Sequence, residues 1–446
     1  MNTPPRKSGC CIYTLMNPAK KNITAALSAA VCSLLATPGQ AETGDWDIDS
    51  AILYYSETDR VTAVEPVISA TRDLGDDESL SLKMVFDSLS GASANGAVPS
   101  TMPQTFTSPS GGGGHGGDDD EGEDDEGGGG AYTVAPNETP LDDTFKDERI
   151  AFSLNWQKPV DRNNRSNLGL SLSSENDFFS LGANALWQHD LNQKNTTLSY
   201  GVNFEFDTIE PIGGAPVPLS SMIDQLRQPG SETREIVDLI VGVTQVINRT
   251  SLFQVNLSLS QADGYMTDPY KFVSVVGPDG EPIDQLFENR PDTRMRQSVF
   301  GKYKKRLDGG DILTASYRYM TDDWQIDSHT YDLTWRFAFS RGFFVEPHLR
   351  YYQQSAAEFY RYFLLDTETP PEFVSADYRL GDLDTTTVGF KLGRDLGDGQ
   401  AWSVRLEQYL QSGESSPDEA IGQLQQQDLF PDVEALIVQF NYSVRW

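Results

Sequence analysis

The last residues of the chain, Leu436–Trp446, read LIVQFNYSVRW. Apolar side chains occupy every second position of this stretch, and mostly polar side chains occupy the positions between them. Because successive side chains of a strand point to opposite faces, the stretch predicts a β-strand with one apolar and one polar face. Which fold contains such a strand depends on how often the pattern recurs.

The same two-residue period recurs along most of the chain, for example in Leu198–Phe206, Phe253–Leu259 and Tyr331–Phe339. Most of these segments exceed the roughly five to six residues of an average globular strand and suit the roughly 9–11 residues of a tilted transmembrane strand. We predict sixteen strands, at residues 46–56, 61–72, 79–88, 148–158, 165–174, 178–189, 196–207, 233–247, 250–262, 292–306, 311–321, 327–339, 342–354, 384–395, 401–411 and 433–446.

The lengths of the connections alternate as well. Every connection that follows an even-numbered strand is short, and every long connection follows an odd-numbered strand, so all long loops would emerge on one side. Outer-membrane barrels have this asymmetry, and an even strand count closes a barrel without free edges. The predicted fold is therefore all-β: a transmembrane antiparallel β-barrel of about sixteen strands, with short periplasmic turns and long extracellular loops.

The N-terminal residues 1–41 have the features of a secretory signal peptide: basic residues, the apolar run Ile23–Ala36, and small residues Gly39 and Ala41 before a cleavage point. The barrel would then occupy 42–446, and 89–147 would form a long Gly/Asp-rich, largely disordered extracellular loop. We expect the chain in the outer membrane of a Gram-negative bacterium. No apolar run is long enough for a transmembrane helix, and all three cysteines lie in the leader.

The chain is strongly acidic, with 66 Asp and Glu against 34 Lys and Arg, a formal net charge of −32. Binding to nucleic acid requires positive charge that meets phosphates, so this balance argues against a nucleic-acid partner. The expected partners are outer-membrane lipid and lipopolysaccharide, together with the barrel-insertion machinery, which the C-terminal strand would contact. The sequence favours no particular oligomeric state and predicts no cofactor.

Several stretches resemble a known family. They are SAILYYSETDRVTAVEPV at 50–67, SLSLKMVFDSLSGASANGAVPS at 79–100, GYMTDPYKFVSVV at 264–276 and RYYQQSAAEFYRYF at 350–363. They are similar to an uncharacterised proteobacterial family catalogued as domain of unknown function 3570. The resemblance implies a Gram-negative outer-membrane setting and brings no activity or catalytic residue with it.

The polar face of each predicted strand would line the barrel lumen, and its charges divide into two arcs. The predicted basic arc is Arg294, Arg296, Lys302, Lys304, Arg318, Arg336, Arg350, Lys391, Arg405 and Arg445. The predicted acidic arc is Asp47, Asp49, Glu65, Asp87, Glu205, Asp207 and Asp238. Opposed charges across an aqueous lumen set up a transverse field, which favours a porin-like channel for small polar or charged solutes.

Three alternatives stay open. Ion pairing, for example between Arg405 and Glu407, would instead give a plugged or structural barrel. The aromatic-rich loops 264–292 and 358–379 would suit a surface-binding barrel that recognises a ligand, a cation or a partner. The third is an outer-membrane hydrolase using His348, the histidine expected to face the lumen, but no serine spacing supports a catalytic triad. We therefore expect no enzymatic activity and no catalytic residue.

The loop 89–147 also contains an acidic run between glycine stretches. Crowded carboxylates attract hard divalent cations, but a site without a rigid frame binds them weakly. We therefore expect at most low-affinity Ca²⁺ or Mg²⁺ association at Asp118, Asp119, Asp120, Glu121, Glu123, Asp124, Asp125 and Glu126.

Overall fold

A computed structural model describes residues 46–107 and 131–445. Its main element is a closed barrel of sixteen antiparallel strands in chain order. The strands are β1 Trp46–Glu57, β2 Val61–Gly75, β3 Glu78–Ala94, β4 Leu141–Pro159, β5 Asn164–Ser174, β6 Phe178–Leu191, β7 Thr196–Ile209, β8 Glu232–Asn248, β9 Ser251–Gly264, β10 Thr293–Arg306, β11 Ile312–Asp322, β12 Asp327–Ala338, β13 Phe343–Gln354, β14 Leu383–Gly397, β15 Gln400–Gly413 and β16 Val433–Arg445.

The barrel closes where β1 pairs with β16, with Asp47 opposite Arg445. All turns after even-numbered strands are tight; between β2 and β3, for example, only Asp76 and Asp77 intervene, at φ 53° and 64°. Two successive positive φ angles suit the twist of a hairpin, and Asp tolerates them better than most residues. The predicted fold class, including its strand number and order, is confirmed.

The outer face of the barrel carries the apolar side chains of the two-residue period. Phe204 is 55% exposed, Leu170 54% and Leu257 54%. An apolar surface of this extent is unfavourable in water and favourable in lipid. A closed barrel also satisfies all its backbone hydrogen bonds internally, as a lipid environment requires. The barrel wall is therefore built to span a membrane.

The long connections do not extend freely from the barrel. The described residues of 95–140, 210–231, 265–292, 355–382 and 414–432 pack together into one structure, which we call the loop cap. Its strands are Gln104–Thr107 paired with Ala131–Val134, and a three-stranded sheet of Phe272–Val276, Pro282–Phe287 and Leu364–Leu365. The remaining short elements are the pair Ala215–Pro216 and Arg227–Gln228 and the 3-10 turns Met222–Asp224, Ser340–Gly342, Tyr378–Leu380 and Gly422–Gln426.

The first long connection differs from the expectation. β3 continues to Ala94 and β4 begins at Leu141, so the loop spans 95–140 rather than 89–147. Its described residues are folded into the cap, because Phe106 and Tyr132 stack at 5.5 Å between ring centroids and are both buried. The acidic run at 118–126 and the signal segment 1–41 lie outside the described residues.

Within the described ranges, no helix is long and apolar enough to cross a membrane.

Candidate functional site: a charged lumen beneath the loop cap

The strand register decides which side chains face the lumen. On β1 the exposed Tyr54 shows that even-numbered side chains face outward. The odd-numbered side chains, including Asp47 and Asp49, therefore face the lumen. Residues directly opposite in neighbouring strands share a face, so the pairings carry this assignment around the barrel; examples are Asn203 with Asp238 and Glu346 with Lys391. All residues of both predicted arcs fall on the inward face by this register.

The acidic arc is partly neutralised by arginines on the strands that pair with it. Asp87 forms an ion pair with Arg149 of β4. Asp207, with no exposed side-chain surface, accepts a hydrogen bond from Arg234 Nε of β8 at 2.8 Å. Sequence reasoning missed both arginines, although they stand at inward positions of the same two-residue period. The acidic arc is therefore less negative than predicted.

The basic arc is neutralised in places as well. Arg294 donates to Asp322 at 2.8 Å, and Arg405 approaches Glu407 at 3.3 Å. Arg445 donates to Asp47 at 2.5 Å, which joins the two predicted arcs where the barrel closes. Asp322 was not predicted as a lumen residue, whereas the pairing of Arg405 with Glu407 was anticipated from the sequence as the alternative to a divided lumen.

Positive charge nevertheless remains in excess on β10 to β14. Arg318 and Arg336 lie over the rings of Phe300 and Phe344, at 5.6 and 3.5 Å from the ring centroids. In the described parts of the chain no ion pair is formed by Arg296, Lys302, Lys304, Arg318, Arg336, Arg350 or Lys391. The two-sided charge pattern is thus reduced by local ion pairs but persists, because Asp49, Glu65, Glu205 and Asp238 of the acidic arc also form no ion pair in this part of the chain; the seven unpaired cations outnumber these four carboxylates.

His348 is held between two carboxylates. Its Nε2 lies 3.0 Å from Asp332 Oδ2, and its Nδ1 lies 2.8 Å from Glu407 Oε1. The contact between His348 of β13 and Glu407 of β15 passes over Gly389 of β14, which lies between them. Glycine leaves room for this contact, because a Cβ atom at position 389 would lie 2.5 Å from Glu407 Cγ. Both ring nitrogens are therefore engaged by carboxylates, and neither is available to take a proton from a serine as a triad requires.

The lumen is not filled by an apolar core. The buried apolar clusters consist largely of cap residues, whereas the inner wall is polar and leaves open space. A cavity of about 990 Å³ lies at the short-turn end, beside residues such as Asp47, Asn164 and Arg165. A second cavity of about 510 Å³ lies under the cap, beside Arg350, Arg405 and the cap residue Arg379.

The loop cap contains a buried ionic cluster that sequence reasoning missed. Arg290 Nε lies 2.6 Å from Glu288 Oε1, and Arg290 Nη2 lies 2.9 Å from Asp377 Oδ2. Burial raises the pKa of Glu288, whereas for Asp377 the cations Arg379 and Lys271 outweigh burial and lower the pKa. Glu288 and Asp377 are almost fully buried, so the cluster fastens connection 265–292 to connection 355–382.

No group of three or more His, Cys, Asp or Glu side chains is placed to hold a metal ion within residues 46–107 and 131–445.

Taken together, the closed wall, the apolar outer belt and the polar interior define a membrane-spanning β-barrel with folded outer loops. The chain belongs to the family described as "Protein of unknown function (DUF3570)", whose model matches residues 24–444. This confirms the resemblance seen in the sequence. The search of curated proteins gave no match.

Similar solved structures are barrels of outer-membrane proteins. A bacterial polysaccharide outer membrane secretin is 10% identical, with 91% of this chain and 100% of that chain covered and a TM-score of 0.43. The CymD monoaromatic hydrocarbon channel is 9% identical, with 91% and 89% covered and a TM-score of 0.39. The siderophore receptor PirA from Pseudomonas aeruginosa is 7% identical, with 91% of this chain but only 63% of that chain covered and a TM-score of 0.38. At these identities the likeness concerns the barrel fold alone.

Proposed function

We propose that the protein is a porin-like channel of the outer membrane for small polar or charged solutes, with its outer mouth narrowed by the loop cap. The observation that carries the proposal is the inner wall, which is lined with unpaired cations and is not packed by apolar side chains. A sixteen-stranded barrel is wide enough to hold an aqueous channel rather than a side-chain core. We infer no enzymatic role.

The position of the unpaired cations indicates how such a channel would select its solutes. Lys302 and Lys304 occupy successive inward positions of β10, and Arg318 occupies a nearby inward position of β11. Charged side chains along a pore attract ions of opposite sign and repel ions of like sign. The channel would therefore favour anions over cations of similar size, despite the acidic net charge of the whole chain.

The test is conductance of the purified protein in planar bilayers, with ion selectivity measured in a KCl gradient. We expect anion-selective current. Lys304→Glu should shift the reversal potential towards cation selectivity, because Lys304 faces the lumen. Lys305→Glu is the matched control, since Lys305 is the next residue on β10 and faces the opposite side. Absence of current from correctly folded protein, including variants with a loosened cap, would refute the channel.

A second candidate is a surface-binding barrel, which the loop cap favours. The outer loops expose apolar side chains, with Ile223 at 78%, Met102 at 64% and Ile283 at 59% exposed. Exposed apolar side chains on a folded support are typical of contact surfaces. Replacement of these residues by serine should abolish ligand or phage binding to whole cells if this role is correct, and should leave conductance unchanged.

We propose contacts with outer-membrane lipid and lipopolysaccharide around the apolar belt, and recognition of the C-terminal strand by barrel-insertion machinery. We also propose weak Ca²⁺ or Mg²⁺ association at Asp118–Glu126, outside the described residues. Fractionation of cells tests the location, and calorimetry on a peptide of this run tests the cation association; no heat of binding would refute it.

A further inference from the structure

The cavity of about 510 Å³ under the loop cap, which we call the basic chamber, has the size of a small-molecule site, for which about 300–1,000 Å³ is typical. It is bounded by the inner faces of β13, β14 and β15, by Ile437 of β16 and by the cap residue Arg379. Its lining includes Arg350, Tyr352, Thr385, Thr387, Arg405 and Tyr409.

The charges of the chamber are unbalanced. Its one lining carboxylate, Glu407, is already engaged by His348 at 2.8 Å and by Arg405 Nη1 at 3.3 Å. Arg350 forms no hydrogen bond or ion pair within the described residues. Asp332, the residue opposite Arg350 on β12, is engaged by His348 at 3.0 Å, so Arg350 faces the cavity without an ion-pair partner of its own and favours an anion there.

Further donors in the chamber lack partners. Arg405 Nε and Gln411 Nε2 are buried and make no hydrogen bond among the described residues. Buried donors of this kind are costly to leave unpaired, so a ligand that accepts from them would gain stability. Together with Arg350 of β13, these two residues of β15 form a group of donors on either side of β14 that line one cavity.

The rest of the wall is neutral and hydroxyl-rich. Thr385 and Thr387 stand two residues apart on β14, and both face the chamber. Tyr352 donates to Gln354 at 2.6 Å, and Tyr409 donates to Gln411 at 2.7 Å, which fixes the two phenol groups. Hydroxyl groups arranged in this way suit a ligand that carries hydroxyl groups of its own.

We propose that the basic chamber binds a hydroxylated organic carboxylate, such as a sugar acid, whose carboxylate lies at Arg350 and Arg405 and whose hydroxyl groups meet the two threonines and two tyrosines. This site is the selectivity element of the proposed channel, and in that sense it rests on the proposed function. Binding itself requires no conduction, so the two proposals fail separately.

The test is isothermal titration calorimetry of the detergent-purified full chain with D-glucuronate, D-glucose and acetate. We expect glucuronate to bind at least about tenfold more tightly than glucose, which lacks the charge, and than acetate, which lacks the hydroxyl groups. Arg350→Gln should weaken glucuronate binding by about tenfold or more, since a charged hydrogen bond is lost. Lys305→Gln on the outer face is the control and should leave binding unchanged.

Three results would overturn the proposal that the basic chamber binds a hydroxylated carboxylate. They are no binding of glucuronate to folded protein, equal binding of glucuronate and glucose, and equal binding of glucuronate by wild type and Arg350→Gln. Folding of each variant is checked by the heat-dependent mobility of the intact barrel on gels. KCl conductance without glucuronate binding would refute the chamber and leave the channel standing, whereas binding without conductance would support the chamber and refute the channel.

Discussion

Phe204 in the barrel wall and Phe272 in the loop cap are both aromatic residues of β-strands, yet their surroundings are opposite. Phe204 is 55% exposed on the outer face, while the charged side chains of the same barrel face inward. Phe272 is 1% exposed and packs against Phe106 and Phe287, with ring centroids 5.9 and 5.1 Å away. The wall is apolar outside and polar inside, and the cap has an apolar interior.

The difference shows that two solvents shape one chain. The wall meets lipid, so its apolar side chains gain nothing from being covered by protein, and its stability depends on the closed ladder of backbone hydrogen bonds. The cap lies beyond the strands and meets water, so it must bury its apolar groups as a water-soluble domain does. Equivalent substitutions should therefore have unequal effects in the two regions.

The contrast should be largest at Phe272. We expect Phe272→Ala to destabilise the cap by about 3–5 kcal/mol, because it removes a large side chain from a packed core. Phe204→Ala, on the lipid face, leaves no buried cavity and should leave the cap unchanged. Hydrogen exchange of residues 265–292 measures the effect. Equal exchange rates in the two variants would contradict the idea that the cap has a core of its own.

Ion pairs provide the next comparison. Asp377→Ala should cost about 3 kcal/mol, because Arg290 and Arg379 would lose a buried counter-charge. Asp47→Ala breaks a pair with Arg445 at an exposed position of the wall, and we expect less than about 1 kcal/mol. Limited proteolysis of the cap and thermal melting of the barrel in detergent measure the two effects. A larger loss from Asp47→Ala would reverse the comparison.

Within the wall, Gly389 should be sensitive to any added side chain. A Cβ atom there would lie 2.3 Å from the carbonyl oxygen of Leu406 and 2.5 Å from Glu407 Cγ. We expect Gly389→Ala to displace Glu407 from His348 at a cost of about 2 kcal/mol, typical of overpacking. Thermal melting checks the loss of stability. The control is Gly301→Ala on the outer face of β10, where a Cβ atom would meet no atom within 4 Å.

A pH-dependent effect is expected at Glu175, in the turn between β5 and β6. Burial, reinforced by Asp147, raises the pKa of Glu175 from 4.5 to about 7. Between these values the folded carboxyl keeps a proton that the unfolded chain releases, so stability falls as pH rises from 4.5 to 7 and then levels off. Glu175→Gln should remove this dependence and raise the melting temperature at pH 8 but not at pH 4. Identical pH profiles for wild type and variant would exclude the role of Glu175.

The wall could be predicted from the sequence and the cap could not. Strand positions follow from a two-residue period that is visible within each strand over about ten residues. The same period shows which side chains face inward. Ion pairs such as Asp87 with Arg149 depend on the register between β3 and β4, which the period does not define. The cap depends on contacts between distant loops, as between Arg290 and Asp377, and its segments carry no period that would align them.

The cap also constrains the order of assembly. Gln423 Nε2 donates to the carbonyl oxygens of Pro99 and Gly280, so the cap joins segments that follow β3, β9 and β15. Closing contacts over such long sequence separations is slow and requires the intervening strands to be in place. We therefore expect the cap to form last, so that each newly inserted barrel passes through an uncapped stage. Pulse labelling of Phe272 during refolding into lipid should show protection there only after the wall has formed; simultaneous protection would contradict this order.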